Sequence, residues 1–273
     1  MARMLGRLFG KAATRIAIPD ALWDGALRRE FLARLGPADR SRLRTLVESF
    51  LASKEMATAH ELELTAAMQV DIAAQACLPI LELGLPWYRG WTSIVIHPAE
   101  FIVPRRVTDE AGVVHEYDDT ISGEAWEGGP LLLSWQDVQD DAPREQPYNV
   151  VLHEFAHKLD MLDGEADGLP PFDRKLHPTL APRPWLDTLE DARERLVAEL
   201  EQVELRLPAD IDPDSSDADP YYAHLPLDAY AAQDASEFFA VSSEAFFIAP
   251  QRMRAAFPAW FDLLAAFYRQ SPA

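Results

Sequence analysis

Apolar side chains between residues 19 and 85 recur at the 3.6-residue period of amphipathic helices. The first such run, Leu22–Leu35, ends at Gly36-Pro37, where the proline opens a second run. A third run is rich in alanine and predicts a helix over roughly residues 62–81. We therefore expect a helical N-terminal portion over residues 19–85.

The pattern changes between Trp87 and Trp135, where short apolar or β-branched runs are separated by proline, glycine and charged residues. Runs of this length and composition are typical of β-strands. They are Ile94–Ile96, Phe101–Val103, Val113–Val114 and Leu131–Leu133. The sequence therefore predicts a small antiparallel sheet within a mainly helical chain.

Helical periodicity returns near Asn149, and it is interrupted by a long connection rich in proline and aspartate, residues 165–225. Within this connection we expect one charged helix, Pro184–Leu205, because its leucines form a single stripe. Two further helices are predicted near Ser236–Phe247 and Pro250–Tyr268. The expected fold class is α+β and mainly helical.

The chain has 273 residues, of which 48% are hydrophobic, and this is enough for the core of one large domain. We expect residues 19–273 to form a single domain, with residues 165–225 as an insertion-rich connection inside it. The basic N-terminal segment, residues 1–18, is expected to be mobile.

Charge and targeting signals exclude several classes of protein. Asp and Glu number 45 against 25 Lys and Arg, so the net charge is −20, which repels phosphate backbones and anionic lipids. No run approaches the ~20 apolar residues of a membrane span, and the N-terminus lacks the apolar core of a secretory signal. One cysteine, Cys77, cannot form an intrachain disulfide. We expect a cytoplasmic protein with no direct nucleic-acid or membrane partner.

The strongest chemical signal is an H-E-x-x-H motif that begins at His153 and ends at His157. Residues four apart on an α-helix are turned by about 40° and stand one turn apart, so both imidazoles project from one face. This spacing suits two ligands of one zinc ion. Glu154 lies about 100° round the helix, where it can accept a proton from the attacking water without binding the metal.

The motif lies on a helix that we expect to be largely buried. Its neighbours are apolar: Val150, Val151, Leu152, Phe155 and Ala156. Two histidines and a glutamate in such surroundings need partners, because burying unpaired polar groups is costly. A single metal ion satisfies them together, so the sequence predicts one zinc ion per chain.

A catalytic zinc site needs a third protein ligand and an open position for water, and several carboxylates compete for that role. Asp160 follows His153 by seven residues and is better suited as an outer hydrogen-bond acceptor. Asp163 would complete an H-E-x-x-H-x-x-G-x-x-D arrangement, but that arrangement needs glycine where Asp160 stands. Glu237 and Glu244 lie two turns apart on an otherwise apolar helix. We predict Glu237 as the third ligand and Glu244 as an outer partner.

Several long stretches of the chain resemble the Mlc titration factor A (MtfA) family, and the likeness spans residues 20–270. These stretches are Tyr88–Pro98, Gly129–Trp135, Asn149–Asp160 and Tyr230–Phe247. The run N-V-V-L-H-E-F-A-H-K-L-D is similar to the hallmark motif of that family. The resemblance implies a zinc metallopeptidase of the gluzincin type with a zincin-like core.

The resemblance also implies roles for individual residues. It places the zinc ligands at His153, His157 and Glu237, and the general base at Glu154. A tyrosine seven residues before the third ligand, here Tyr230, is similarly placed in the family, and its phenol can donate a hydrogen bond to the oxyanion of the tetrahedral intermediate. Family members are aminopeptidases that bind a glucose-responsive transcriptional repressor, Mlc.

The expected function is therefore hydrolysis of peptide bonds by zinc-activated water. The expected substrates are short peptides or N-terminal residues, and an Mlc-like repressor is the expected protein partner. A second interpretation is an acidic regulator that sequesters a transcription factor with little or no catalysis. Glu154 favours the enzyme, because a metal site kept only for structure has no need of a base.

Overall fold

The structure, a computed structural model, describes residues 16–108, 114–140, 146–213, 215 and 217–272. Most of the segment that we predict to be mobile, residues 1–18, lies outside the described residues, as does Val113 of one predicted strand. Among the described helices, none combines the length and the apolar composition needed to cross a bilayer.

Helices dominate the described part of the chain, which confirms the predicted α+β, mainly helical fold class. In chain order, helices α1 to α11 are Asp20–Ala26, Glu30–Ala33, Pro37–Ser53, Ala66–Cys77, Trp135–Gln139, Val150–Asp160, Pro182–Glu204, Asp219–Tyr222, Ala235–Ile248, Pro250–Ala256 and Pro258–Tyr268. Strands β1 to β6 are Glu55–Thr58, Ser93–His97, Phe101–Thr108, Val114–Ile121, Gly123–Ala125 and Leu131–Ser134.

Four strands form one sheet in the order β1-β2-β6-β5, and β3 pairs with β4 in a separate hairpin. The predicted antiparallel pairing occurs in β3–β4 and in β5–β6, whereas β1–β2 and β2–β6 pair in parallel. Ile94 on β2 lies between Met56 on β1 and Leu131 on β6. In the described sheet, β1 and β5 are the edge strands.

The N-terminal portion departs from its helical pattern at two points. The predicted helix Leu22–Leu35 is divided into α1 and α2, because the chain is extended at Arg29. The guanidinium of Arg29 donates to both carboxylate oxygens of Asp71 at 2.7 Å and to the carbonyl of Val138 at 2.6 Å. Strand β1 also lies within this portion, and the helical prediction missed it. In both places tertiary contacts outweigh local propensity.

The later helices follow the prediction closely. Helix α7 extends over the predicted Pro184–Leu205 run, and α9 over the predicted Ser236–Phe247 run, each within two residues at either end. The predicted helix Pro250–Tyr268 is instead two helices, α10 and α11, which meet at Phe257. The break occurs there because Pro258 lacks a backbone N–H and disfavours helical geometry at the residue before it.

Helices α6 and α9 pack against each other inside one hydrophobic core. Helix α6 also contacts α4, β5 and β6. Ten of its eleven residues are buried, and His153 is partly buried. The chemical groups of the motif therefore face other elements of the fold, as the apolar surroundings of the motif predict.

Candidate metal centre

Side-chain caps fix where the two central helices begin. The Asn149 side chain accepts a hydrogen bond from the third backbone N–H of α6 at 2.8 Å. Asp234 does the same at the start of α9, where it accepts from the N–H of Glu237 at 2.9 Å. Such caps satisfy amide groups that have no partner within the helix. They set the position of His153 and His157 on α6, and of Glu237 on the first turn of α9.

Three possible ligand atoms converge between α6 and α9. The Nε2 atoms of His153 and His157 are 3.1 Å apart. The Oε2 atom of Glu237 lies 3.2 Å from the first and 3.4 Å from the second. Ligand atoms 2.0–2.1 Å from a tetrahedral zinc ion are separated by about 3.3 Å. Among the described histidines, cysteines and acids, this is the group whose ligand atoms lie close enough together to hold a metal ion.

The outer nitrogen of each imidazole has its own hydrogen-bond partner. His153 Nδ1 lies 2.8 Å from Glu244 Oε1, and His157 Nδ1 lies 3.0 Å from Ser236 Oγ. When each Nδ1–H donates to these oxygens, both Nε2 atoms present lone pairs to the space beside Glu237. Among the described residues no hydrogen-bond donor reaches the buried Oε2 of Glu237. Three lone pairs that face one another repel unless a cation lies between them, so these residues fit a metal ion.

The buried carboxylate of Glu244 lies against His153, the position at which the sequence predicts an outer hydrogen-bond partner. Besides the imidazole of His153, it accepts a hydrogen bond from the backbone N–H of Asn149, the capping residue of α6. The same side chain therefore orients one imidazole and ties α9 to the start of the helix that carries it. Such outer partners hold ligating histidines in a fixed orientation.

The competing candidates for third ligand lie apart from the three convergent atoms. Asp160 Oδ2 accepts from Ser236 Oγ and from the N–H of Gly168, both at 2.9 Å, so it contacts His157 only through Ser236. Burial raises the pKa of the Asp160 carboxyl to about 7. Asp163 lies in the turn after α6 and lines a separate cavity.

Glu154, the predicted base, is buried beside the candidate metal centre with 5% of its surface exposed. Among the described residues, its Oε2 has no hydrogen-bond partner. Burial raises the pKa of the Glu154 carboxyl above its usual value, and the imidazoles of His153 and His157 partly oppose this effect. A carboxylate with a raised pKa is a better base near neutral pH.

A cleft of about 680 Å³ opens onto the candidate metal centre. Its walls include Gly123 of β5, Glu154 of α6 and Glu237 of α9. Tyr230 also lines it, on the turn Ala229–Ala232, and the centre of its ring lies 6.2 Å from that of His153. The residue is 49% exposed, so Tyr230 lies at the mouth of the cleft. The fold thus brings together the five residues to which the sequence analysis assigns a direct role: His153, Glu154, His157, Tyr230 and Glu237.

Three residues contribute to this geometry without having been assigned a role from the sequence: Asn149, Ser236 and Gly123. Asn149 had a recognisable signal, since asparagine before an apolar helical run is a typical N-cap. An isolated glycine in a strand, as at Gly123, indicates close approach of another group. Ser236 had no signal beyond its position next to Glu237.

Comparison with known proteins matches the chain to a protein family over most of its length. Residues 8–269 match the family model described as glucose-regulated metallo-peptidase M90. That match includes α6, α9 and the edge strand β5, so it covers every element of the candidate metal centre.

Relatives of similar length share about a third of the sequence, and each is named Mlc titration factor A. The protein of Salmonella arizonae is 36% identical over 254 residues, which cover 93% of this chain and 92% of the relative. That of Klebsiella pneumoniae is 37% identical over 251 residues, or 92% and 86% of the two chains. That of Escherichia fergusonii is 36% identical over 262 residues, or 96% and 89%.

Proposed function

The chain belongs to the glucose-regulated metallo-peptidase M90 family, as its resemblance to the Mlc titration factor A family predicted, and on this basis we propose that it is a zinc-dependent peptidase. One observation carries the proposal: lone pairs of His153, His157 and Glu237 converge beside the buried carboxylate of Glu154. Two imidazoles and one carboxylate are a donor set typical of catalytic zinc, which keeps a fourth position open.

A zinc ion held by these residues supplies a Lewis acid that acidifies water and polarises a carbonyl group. Glu154 accepts the proton of the attacking water and passes it to the leaving amine. The phenol of Tyr230 donates a hydrogen bond to the oxygen that gains negative charge. Glu244 and Ser236 hold the two imidazoles in place through their Nδ1 atoms.

We propose short peptides as substrates, cleaved from their amino-terminal end. The described residues that line the cleft include Asp228 and three glutamates, and neither lysine nor arginine is among them. A carboxypeptidase needs a cation to bind the terminal carboxylate of its substrate, and these walls offer none. A free amino terminus carries the opposite charge, so the same walls favour it.

A second proposed role is the binding of an Mlc-like transcriptional repressor. It is supported by the name of the relatives, Mlc titration factor A, which share about 36% of the sequence over nearly the whole chain. The alternative to peptidase action is a regulator that binds such a repressor without catalysis. Both roles fit one chain, so the peptidase activity needs its own test.

Glu154→Gln tests the peptidase proposal, because the amide keeps the size of the side chain but cannot take up a proton. The wild-type protein is expected to hydrolyse aminoacyl nitroanilides, to lose this activity when a chelator removes zinc, and to regain it when zinc is restored. Glu154→Gln is expected to keep its zinc and lose roughly 10²–10⁴ in turnover.

Unchanged turnover in zinc-loaded Glu154→Gln would contradict the proposed mechanism. Glu190→Gln is a suitable control, because Glu190 lies on α7, where it pairs with Arg193 at 2.7 Å, and does not line the cleft. A zinc-loaded wild-type protein that binds a repressor but hydrolyses no peptide would support the regulator instead.

A further inference from the structure

Strand β5 lies directly against the proposed base. A Cβ atom added at Gly123 would lie 2.6 Å from Glu154 Oε1 and 2.7 Å from its Cγ. It would also lie 2.8 Å from a methyl carbon of Val150. Real Cβ atoms do not approach other atoms so closely, so the backbone of β5 at Gly123 limits where the carboxyl group of Glu154 can lie.

One helical turn beyond Glu154, the Lys158 side chain contacts the turn that follows the same strand. Its Nζ donates to the carbonyl oxygens of Trp126 at 2.6 Å and Gly129 at 3.0 Å. These carbonyls belong to the turn that joins β5 to β6, which the bond from Gly129 N–H to Trp126 O closes at 3.0 Å. Lys158 therefore attaches the β5–β6 turn to α6.

The contact between Lys158 and the turn places a charged side chain in the interior of the protein. Lys158 is only 3% exposed, and a buried ammonium group is unfavourable unless its donors are satisfied. The donors of Lys158 are directed at the carbonyl oxygens of the turn that follows β5, the strand that lies against Glu154.

The contact at Gly123 and the contact at Lys158 occur in the same order along α6 and along the segment formed by β5 and its turn. Glu154 and Lys158 are four residues apart and share one face of α6, and Trp126 directly follows the last residue of β5, the strand that begins at Gly123. The contact at Gly123 and the contact at Lys158 therefore hold β5 and the turn after it to the same helix.

We propose that Lys158 is a positioning residue: by holding the β5–β6 turn on α6, it keeps β5 against Glu154 and so directs the carboxylate of the base. This inference rests on the proposed peptidase function. Misplacement of a catalytic group by about 1 Å can cost 10²-fold in rate, so a residue that does not touch the substrate can still control turnover.

The test is Lys158→Met, which keeps a long apolar side chain and removes the three donors. We expect unchanged zinc content, a KM within about twofold of wild type, and a kcat that is about ten- to a hundredfold lower on aminoacyl nitroanilides. A merely structural lysine would lower the melting temperature and leave kcat unchanged per folded, zinc-loaded molecule.

Lys54→Met is the matched control. Lys54 Nζ also donates to a backbone carbonyl, that of Trp91 at 2.6 Å, and lies 3.5 Å from the centre of the Trp91 ring. Its described contacts do not include β5 or the β5–β6 turn. We expect Lys54→Met to melt earlier and to keep the wild-type kcat. Equal losses of kcat in Lys54→Met and Lys158→Met would overturn the proposal.

Gly123→Ala tests the same contact from the strand, since the added methyl group must displace the carboxyl of Glu154. The kcat of Gly123→Ala is expected to fall while its zinc is retained. The double variant, which combines Lys158→Met and Gly123→Ala, should lose a smaller factor in kcat than the product of the two single-variant losses, because both changes move one carboxylate. Independent, multiplicative losses would contradict the proposal. If Lys158→Met does not fold, an unchanged kcat in Gly123→Ala is by itself enough to overturn the proposal.

The outcomes also separate this inference from the peptidase proposal. If the wild-type protein hydrolyses peptides and Lys158→Met is fully active, the positioning role of Lys158 is wrong and the peptidase proposal stands. A zinc-loaded wild-type protein without hydrolytic activity removes the peptidase proposal itself.

Discussion

Tyr230 shows how a single hydroxyl group can be tested separately from the ring that carries it. The ring lies at the mouth of the cleft beside His153, and Asp228 accepts a hydrogen bond from the backbone N–H of Tyr230 at 2.9 Å. The turn that presents the tyrosine is therefore held by its backbone. Removing the phenol oxygen leaves this anchor in place.

Tyr230→Phe is expected to lower kcat by about 10²–10³, the usual effect of losing one oxyanion donor. KM and zinc content should change little, because the hydroxyl acts only as negative charge develops in the transition state. Steady-state kinetics with metal analysis measures all three quantities. A variant that melts earlier but stays fully active when folded would show that Tyr230 is structural.

Glu244 contacts the proposed metal ligand His153, so we expect a change at Glu244 to alter zinc affinity. Its carboxylate accepts from both His153 Nδ1 and Asn149 N–H, whereas the amide of Glu244→Gln offers only one oxygen for these two donors. We expect zinc affinity to fall about 10–100-fold, measured by competition with a chromophoric chelator. The same affinity in Glu244→Gln and wild type would show that the imidazole needs no such partner.

At the scale of elements, the connection between α6 and α7 is fastened to the helical core at defined points. His177 Nε2 donates to the carbonyl of Phe267 on α11 at 2.9 Å, while its Nδ1 accepts from the N–H of Asp173 at 3.2 Å. Only the neutral imidazole can make both bonds, because a proton on Nδ1 would face the Asp173 N–H.

Stability is therefore expected to depend on pH through His177. Burial lowers the pKa of His177, and the bond to the Phe267 carbonyl partly opposes this effect. As pH falls below about 6.5, the unfolded chain takes up a proton that the folded chain resists, so the folded state loses stability. Between pH 7.5 and 5.5, the free energy of unfolding measured with urea should fall less in His177→Gln than in the wild-type protein. The same dependence of this free energy on pH in both proteins would contradict this account.

The parts of the fold that could be predicted from the sequence are those fixed by local geometry. The spacing of His153 and His157 on one helix, and of Glu237 and Glu244 on another, follows from the helical period and from apolar neighbours. The break at Arg29, the strand Glu55–Thr58 and the parallel pairings depend on partners distant in the sequence, which the local pattern does not contain.

At the scale of the whole molecule, the candidate metal centre combines elements that are far apart in the chain. The proposed ligand atoms come from α6 and α9, the proposed base lies against β5, and Tyr230 lies on a turn after the connection 165–225. The net charge of −20 adds a negative field around a cleft whose described walls also carry carboxylates. Such a field favours cations, including a divalent metal and a free amino terminus.

The central claim is that His153, His157 and Glu237 bind one zinc ion, and metal analysis of dialysed protein tests it most directly. The wild-type chain should carry about one zinc, Glu237→Ala should lose most of it, and Asp160→Ala should retain it, because Asp160 reaches the centre only through Ser236. Full zinc in Glu237→Ala, together with loss in Asp160→Ala, would contradict the assignment of the third ligand.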